Sequence, residues 1–296
     1  HLEIVVWPVF FLSFMSEFFT NPIYLNALIG VLLVALPCAI CGCFLQIQNN
    51  SLFGETIAHG CLPGVYFGFL FSESRHVLWL TLGAAVTGIA SSLIVTLVLQ
   101  RTRLKRDAAL AAVLGGMYGV GIALLSWIQS AELPNQNGLE SVFLGNAAAL
   151  TASDLKVIGT LGVLALGFIA LRYRSLVASS FDRSHALISG HRPHVQQLLL
   201  YALVSICVSI GIQSVGALLV AALIIVPAAI ARMFTHSLLT MMAMAAIFSS
   251  IAGWLGTSAS AMLPNLPTGP CVVLALTGLF MVVAFVKVLN SKMRLL

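Results

Sequence analysis

Glu55 and His59 stand four residues apart in the stretch Ser51 to Gly64. That spacing puts both side chains on one face of a helix. A carboxylate and an imidazole converging there suit Mn²⁺, Fe²⁺ or Zn²⁺, because harder ions such as Mg²⁺ and Ca²⁺ favour all-oxygen shells. A plainer arrangement uses the same residues: Glu55 as an acid in the first helical turn at the headgroup zone, and His59 hydrogen-bonded to a neighbouring helix. Cys38, Cys41 and Cys43 offer soft ligands, but Cys38 and Cys43 project from different parts of a helix surface and cysteine packs well as a small apolar residue. His185, His191 and His194 lie in a basic stretch and read as a solvated face. No Gly-x-Ser-x-Gly, Gly-rich Walker loop or His-Glu-x-x-His element is present. The chain is therefore not expected to be an enzyme or to hydrolyse ATP.

The elements that must position these residues follow from composition. Of 296 residues, 60% are hydrophobic and 8% charged, against roughly 25% charged in a soluble domain. Mean hydropathy is +1.05. A water-soluble globular domain is excluded, and no stretch is polar enough for a separate domain, so residues 1–296 read as one transmembrane domain. Apolar runs lie near 24–46, 56–72, 77–99, 108–129, 154–171, 195–212, 214–231, 237–256 and 270–289. They show no strand-like alternation and are about twice as long as a barrel strand needs, so they satisfy their backbone in lipid as helices. The expected fold class is all-α, a polytopic helix bundle with eight or nine spans.

Alternating the loops across the membrane, with 100–107 inside, collects Arg101, Arg103, Lys105, Arg106, Arg172, Arg174, Arg183, Arg192, Arg232, Lys287, Lys292 and Arg294 on one side. Only Arg75 and Lys156 fall on the other. This asymmetry predicts an outer amino terminus and a cytoplasmic carboxyl terminus. The aromatic, apolar but short segment within 1–20, which contains Glu17, reads as an interfacial helix. Pro37, Pro63 and Pro227 are expected to kink or interrupt their spans, and Gly115, Gly116, Gly119 and Gly121 to let helices approach closely. Residues 179–190 read as a short inner helix with Asp182 as N-cap and Gly190 just past its end, either a docking knob or a plain connector.

Five segments, in order, resemble the permease subunits of the zinc, manganese and iron branch of ATP-binding-cassette (ABC) importers. Ser51 to Val65 is similar to that family's Gly-acid-x-x-x-His element before Leu-Pro-Gly, and Leu144-Gly145-Asn146 to its Gly-Asn element after the fourth span. Phe181-Asp182 through Ala186 to Gly190 is similar to its coupling segment, Val215 to Ala231 to its most characteristic run, and Leu266-Pro267-Thr268-Gly269 to its last external turn. The resemblance covers about residues 20 to 290. Glu55 stands where the family usually has aspartate, which moves the carboxylate by about 1.5 Å, one carbon–carbon bond. Gln48-Asn49-Asn50 replaces the usual arginines.

The resemblance implies a type II ABC importer-like bundle in a bacterial inner (cytoplasmic) membrane. It places Glu55 and His59 on the metal path, and Phe181, Asp182, Ala186 and Gly190 on the helix that meets the ATPase. Implied partners are a second permease chain, identical or related, a cytoplasmic ATP-binding subunit and an extracytoplasmic metal-binding lipoprotein. The cargo would be manganese, zinc or iron, with no permanently bound cofactor. The alternative from another class, an ATP-independent secondary carrier or channel, should show inverted repeats with paired broken helices and further acids at mid-membrane. Neither is found in the sequence.

Overall fold

The structure is a computed structural model that describes residues 20–73, 76–131, 134, 139, 145, 147–181, 183–188, 190, 192–235, 237–262 and 266–293. The interfacial helix expected within 1–20 lies outside the described residues, apart from Thr20, as do Leu144, Asn146 and Asp182. Among the described residues every regular element is helical: α1 (Pro22–Ile47), α2 (Leu52–Gly60), α3 (Leu62–Ser72), α4 (Val77–Arg101), α5 (Arg106–Ser130), a short 3₁₀ turn (Ala147–Ala149), α6 (Ala152–Phe181), α7 (Arg183–Ile188), α8 (Pro193–Val215), α9 (Ala217–Phe234), α10 (Leu238–Met262) and α11 (Thr268–Met293). Eight of these, α1, α4, α5, α6, α8, α9, α10 and α11, are long and apolar enough to cross a membrane. The short helices α2 and α3 follow one another at Cys61 and together have the length of a ninth crossing.

All nine apolar runs of the sequence thus correspond to helix, with the second one split. The split falls at Cys61, two residues before Pro63, which sits in the first turn of α3 where its missing N–H costs nothing. Pro37 and Pro227, by contrast, lie inside continuous helices. Pro37 cannot donate to the Leu33 carbonyl, and α6 brings Gly162 against that oxygen, where an added Cβ would lie 3.4 Å away. At α6 the run is longer than expected. Its 30 residues measure about 45 Å at 1.5 Å per residue, well beyond a hydrocarbon core of about 30 Å. The helix, which carries Arg172 and Arg174 in its last three turns, is therefore two to three turns longer than a crossing needs.

Helices α1 and α8 form the centre. Of the 18-residue apolar stretch suited to the bilayer, 72% is buried in each, against 11% in α11. Helix α1 packs against α6, α8, α9 and α10, and α8 against α4 and α6. Small residues allow these approaches: a Cβ on Gly42 would overlap the Ile224 backbone of α9, and Gly64 and Gly83 each block the other's Cβ across α3 and α4. A single residue, Gly216 at φ +89°, turns α8 into α9.

Candidate metal pathway

The site is built on α2. The turn before it is tight: Asn49 adopts φ +51°, a left-handed conformation that asparagine takes more readily than most residues, and the Asn50 N–H closes back to the Leu45 carbonyl at 2.9 Å. Gln48-Asn49-Asn50, which departs from the resemblance, thus suits its local geometry. Helix α2 buries Phe53, Gly54, Thr56, Ile57, Ala58 and Gly60. Gly54 lies against Ile224 of α9, the Thr56 hydroxyl donates to Leu52 O at 3.1 Å and reaches Leu110 O of α5 at 3.5 Å, and Ser91 of α4 donates to Gly60 O. Leu52, Glu55 and His59 remain as the more open stripe, at i, i+3 and i+7.

The expected pairing of Glu55 and His59 on one helical face is present. Glu55 occupies the first turn of α2, where the helix dipole favours a carboxylate, and His59 the last. Both are half-buried, and the carboxylate is close enough for its charge to act on the imidazole. His59 Nδ1 is buried without a hydrogen-bond partner among the described residues. An imidazole nitrogen in that condition is either a cost to the fold or a ligand position, since buried polar atoms are ordinarily paired. No third His, Cys, Asp or Glu joins them: among the described residues no group of three or more is placed to share an ion.

One neighbour was not singled out in the sequence. The Tyr118 ring of α5 stands edge-on to His59, with centroids 5.2 Å apart. Its signal was an aromatic residue set inside the run Gly115-Gly116-Met117-Tyr118-Gly119. The glycines themselves divide. Gly121 packs on Leu62 and Pro63 as expected of a close approach, but a Cβ on Gly115, Gly116 or Gly119 would meet nothing within 4 Å. The face of α5 that carries these three glycines is smooth and open.

The segment 179–190 lies elsewhere on the chain. Phe181 ends α6 at 56% exposure, α7 follows, and Leu187 and Ile188 are more exposed still. Gly190 takes φ +76° and its N–H closes on Leu187 O at 3.1 Å, the geometry expected just past a helix end. The helix is shorter than the 182–190 segment suggested, one and a half turns over Arg183–Ile188, and the N-cap role of Asp182 lies outside the described residues. Ala186 sits within this helix. Gln48, in the turn before α2, donates to Ser180 Oγ at 2.9 Å, so the end of α6 is tied to the α1–α2 turn.

The sequence pattern of the ABC 3 transport family matches residues 20–287. The chain is 33% identical over 268 residues to the zinc transport system membrane protein TroC of Treponema pallidum (strain Nichols), covering 90% of each. It is 34% identical over 254 residues to the manganese transport system membrane protein MntC of Bacillus subtilis (strain 168), covering 86% of this chain and 58% of that protein. In fold it is similar to a chain of PsaBC from Streptococcus pneumoniae, solved in complex with Fab, at a TM-score of 0.81 and 27% identity, covering 92% of this chain and 95% of that one.

Proposed function

Because the chain belongs to the ABC 3 transport family, we propose that Glu55 and His59 are its half of a metal-binding station on the path through an importer. It is an integral membrane permease subunit of an ABC importer that takes up a divalent transition metal. The observation that carries the site is the orphaned, buried Nδ1 of His59 on the same open stripe as the Glu55 carboxylate. Two ligands hold an ion too weakly for storage but suitably for transit. A second permease chain, related by a two-fold axis and resting on the open Gly115–Gly116–Gly119 face, brings a second pair and completes four ligands.

The permease works in a bacterial inner membrane with its basic loops and carboxyl terminus in the cytoplasm. An extracytoplasmic lipoprotein delivers the ion. A separate ATPase, docked on Phe181, α7 and Gly190, supplies the energy that switches access from outside to inside. Phe181, apolar and exposed, is the anchor of that contact. Phe181→Asp places an unpaired charge there, at a cost of several kcal/mol once covered, and is expected to lose the ATPase on co-purification while the chain still inserts.

The test is uptake of Mn²⁺, Zn²⁺ and Fe²⁺ in competition, by vesicles carrying the permease with and without the ATPase. ATP-dependent accumulation of one or more of these ions supports the reading. Accumulation at the same rate without the ATPase would instead make the chain a self-sufficient carrier.

A further inference from the structure

The site on α2 and the start of α8 are joined through one side chain. Tyr201, on α8 two turns after its beginning at Pro193, is 3% exposed. Its hydroxyl accepts from Asn50 Nδ2 at 2.8 Å and from Gln197 Nε2 at 2.6 Å, while its ring stacks on Phe53 with centroids 3.8 Å apart and planes 23° from parallel. Asn50 and Phe53 flank the start of α2, with Phe53 two residues before Glu55. Gln197 lies one turn into α8, directly after the inner segment that ends at Gly190. Only four residues, 189–192, separate α7 from α8.

Two features make this junction able to move rather than merely brace. The Asn50 side chain is 2% exposed, yet its Oδ1 has no hydrogen-bond partner among the described residues. A phenol has one proton and can donate it to only one of two amides at a time, so turning either amide about its plane exchanges which helix holds the hydroxyl proton. There is also free space beside the junction. Gln197 lines two partly open pockets, one of about 140 Å³ shared with Gln196 and Arg106 and one of about 210 Å³ that Tyr201 also lines. Gln197, which lines both pockets, and Tyr201, which lines one, can shift into that space without forcing a packed core to yield.

We propose that Tyr201 is a positioning residue that transmits motion of the inner segment to the Glu55–His59 pair, by exchanging its hydroxyl between Gln197 of α8 and Asn50 of the α1–α2 turn. A displacement of α8 turns the stacked Tyr201 and Phe53 together, and α2 follows because Phe53 is buried in it. This inference rests on the reading of Glu55 and His59 as the metal station.

The test uses the whole importer, with its ATPase and binding protein, in vesicles loaded with ATP. Radiolabelled Mn²⁺ and Zn²⁺ uptake and ATP hydrolysis are measured together for Tyr201→Phe, which keeps the stacked ring, and for Asn50→Leu and Gln197→Leu. Each is expected to lower metal moved per ATP by about tenfold, within the range of measured coupling effects, with hydrolysis within about twofold of wild type. Metal bound at equilibrium by the purified transporter stays unchanged in Tyr201→Phe. A wild-type ratio of metal to ATP in Tyr201→Phe overturns the proposal, and so does a parallel loss of uptake and hydrolysis, which is what a purely structural residue would give. Glu55→Ala and His59→Ala run alongside. If these transport normally, the metal station is wrong and the inference falls with it; if they are dead and Tyr201→Phe is normal, only the inference falls.

Discussion

Two places in this bundle hold side chains that bind transition metals elsewhere in chemistry, and they are built in opposite ways. Cys38, Cys41 and Cys207 meet between the central helices α1 and α8, with Cys41 Sγ 3.7 Å from Cys207 Sγ and Cys38 Sγ 3.8 Å from the Cys207 carbonyl. All three are at most 1% exposed and are wrapped by the core. Glu55 and His59 are fewer and, taken alone, less suited to hold an ion tightly. They are half-buried, however, beside an open glycine face, and His59 carries a nitrogen with no partner. The contrast teaches that ligand type does not make a transport site. An ion in transit needs a way in, a ligand not already satisfied and a way out. The cysteines provide none of these and serve as small apolar packing residues where two helices come close.

Substitutions that remove the open pair should break the comparison most visibly. Glu55→Ala or His59→Ala is expected to cut metal uptake at least about a hundredfold, the upper end of what loss of a mere supporting group produces. Both proteins should insert, because neither side chain is fully buried; uptake in reconstituted vesicles and the elution profile check the two halves of this statement. A bulky side chain on the neighbouring face comes next. Gly116→Leu meets nothing within its own chain, so it should leave the single chain folded. It should weaken pairing of two permeases and reduce uptake by roughly tenfold, a cost of about 1.4 kcal/mol. Native mass spectrometry of the purified transporter reads the pairing directly.

Smaller effects sharpen the same contrast. Glu55→Asp keeps a carboxylate but draws it back by about one bond length, so uptake should persist with a changed order of preference among Mn²⁺, Zn²⁺ and Fe²⁺ in competition. The smallest functional change is expected from replacing Cys38, Cys41 and Cys207 together by alanine. Transport should stay within about twofold of wild type while stability falls by about 1 kcal/mol per site, the ordinary result of trimming a packed core. Uptake and a thermal melt of the same preparation measure both.

Much of this was legible in the sequence, for identifiable reasons. Nine apolar runs between charged or Gly/Pro-bearing loops set eight or nine helical crossings because backbone groups in lipid have nowhere else to bond. Glu55 and His59 were legible because a carboxylate and an imidazole four residues apart stand out in a chain with few charges. Gly190 announced its positive φ. What was not legible depends on neighbours. Nothing local distinguishes Gly121, which packs on Leu62 and Pro63, from Gly116, which faces open space; only the placement of α5 beside α2 and α3 decides it. The extension of α6 to Phe181 was missed because Arg172 and Arg174 mark the end of an apolar run, and an arginine ends an apolar run without ending the helix. Pro37 and Pro227 were expected to kink or interrupt their helices, and neither interrupts: each lies inside a continuous helix.

The central claim is that each chain holds half of a metal station and that two chains complete it. The direct measurement is the number of Mn²⁺ or Zn²⁺ ions bound at equilibrium by the purified, lipid-reconstituted permease, counted by elemental analysis against protein concentration. The account predicts one ion for every two chains, lost in Glu55→Ala and in His59→Ala and retained when Cys38, Cys41 and Cys207 are all alanine. One ion per chain, or binding that survives both single substitutions and disappears with the cysteines, would contradict it.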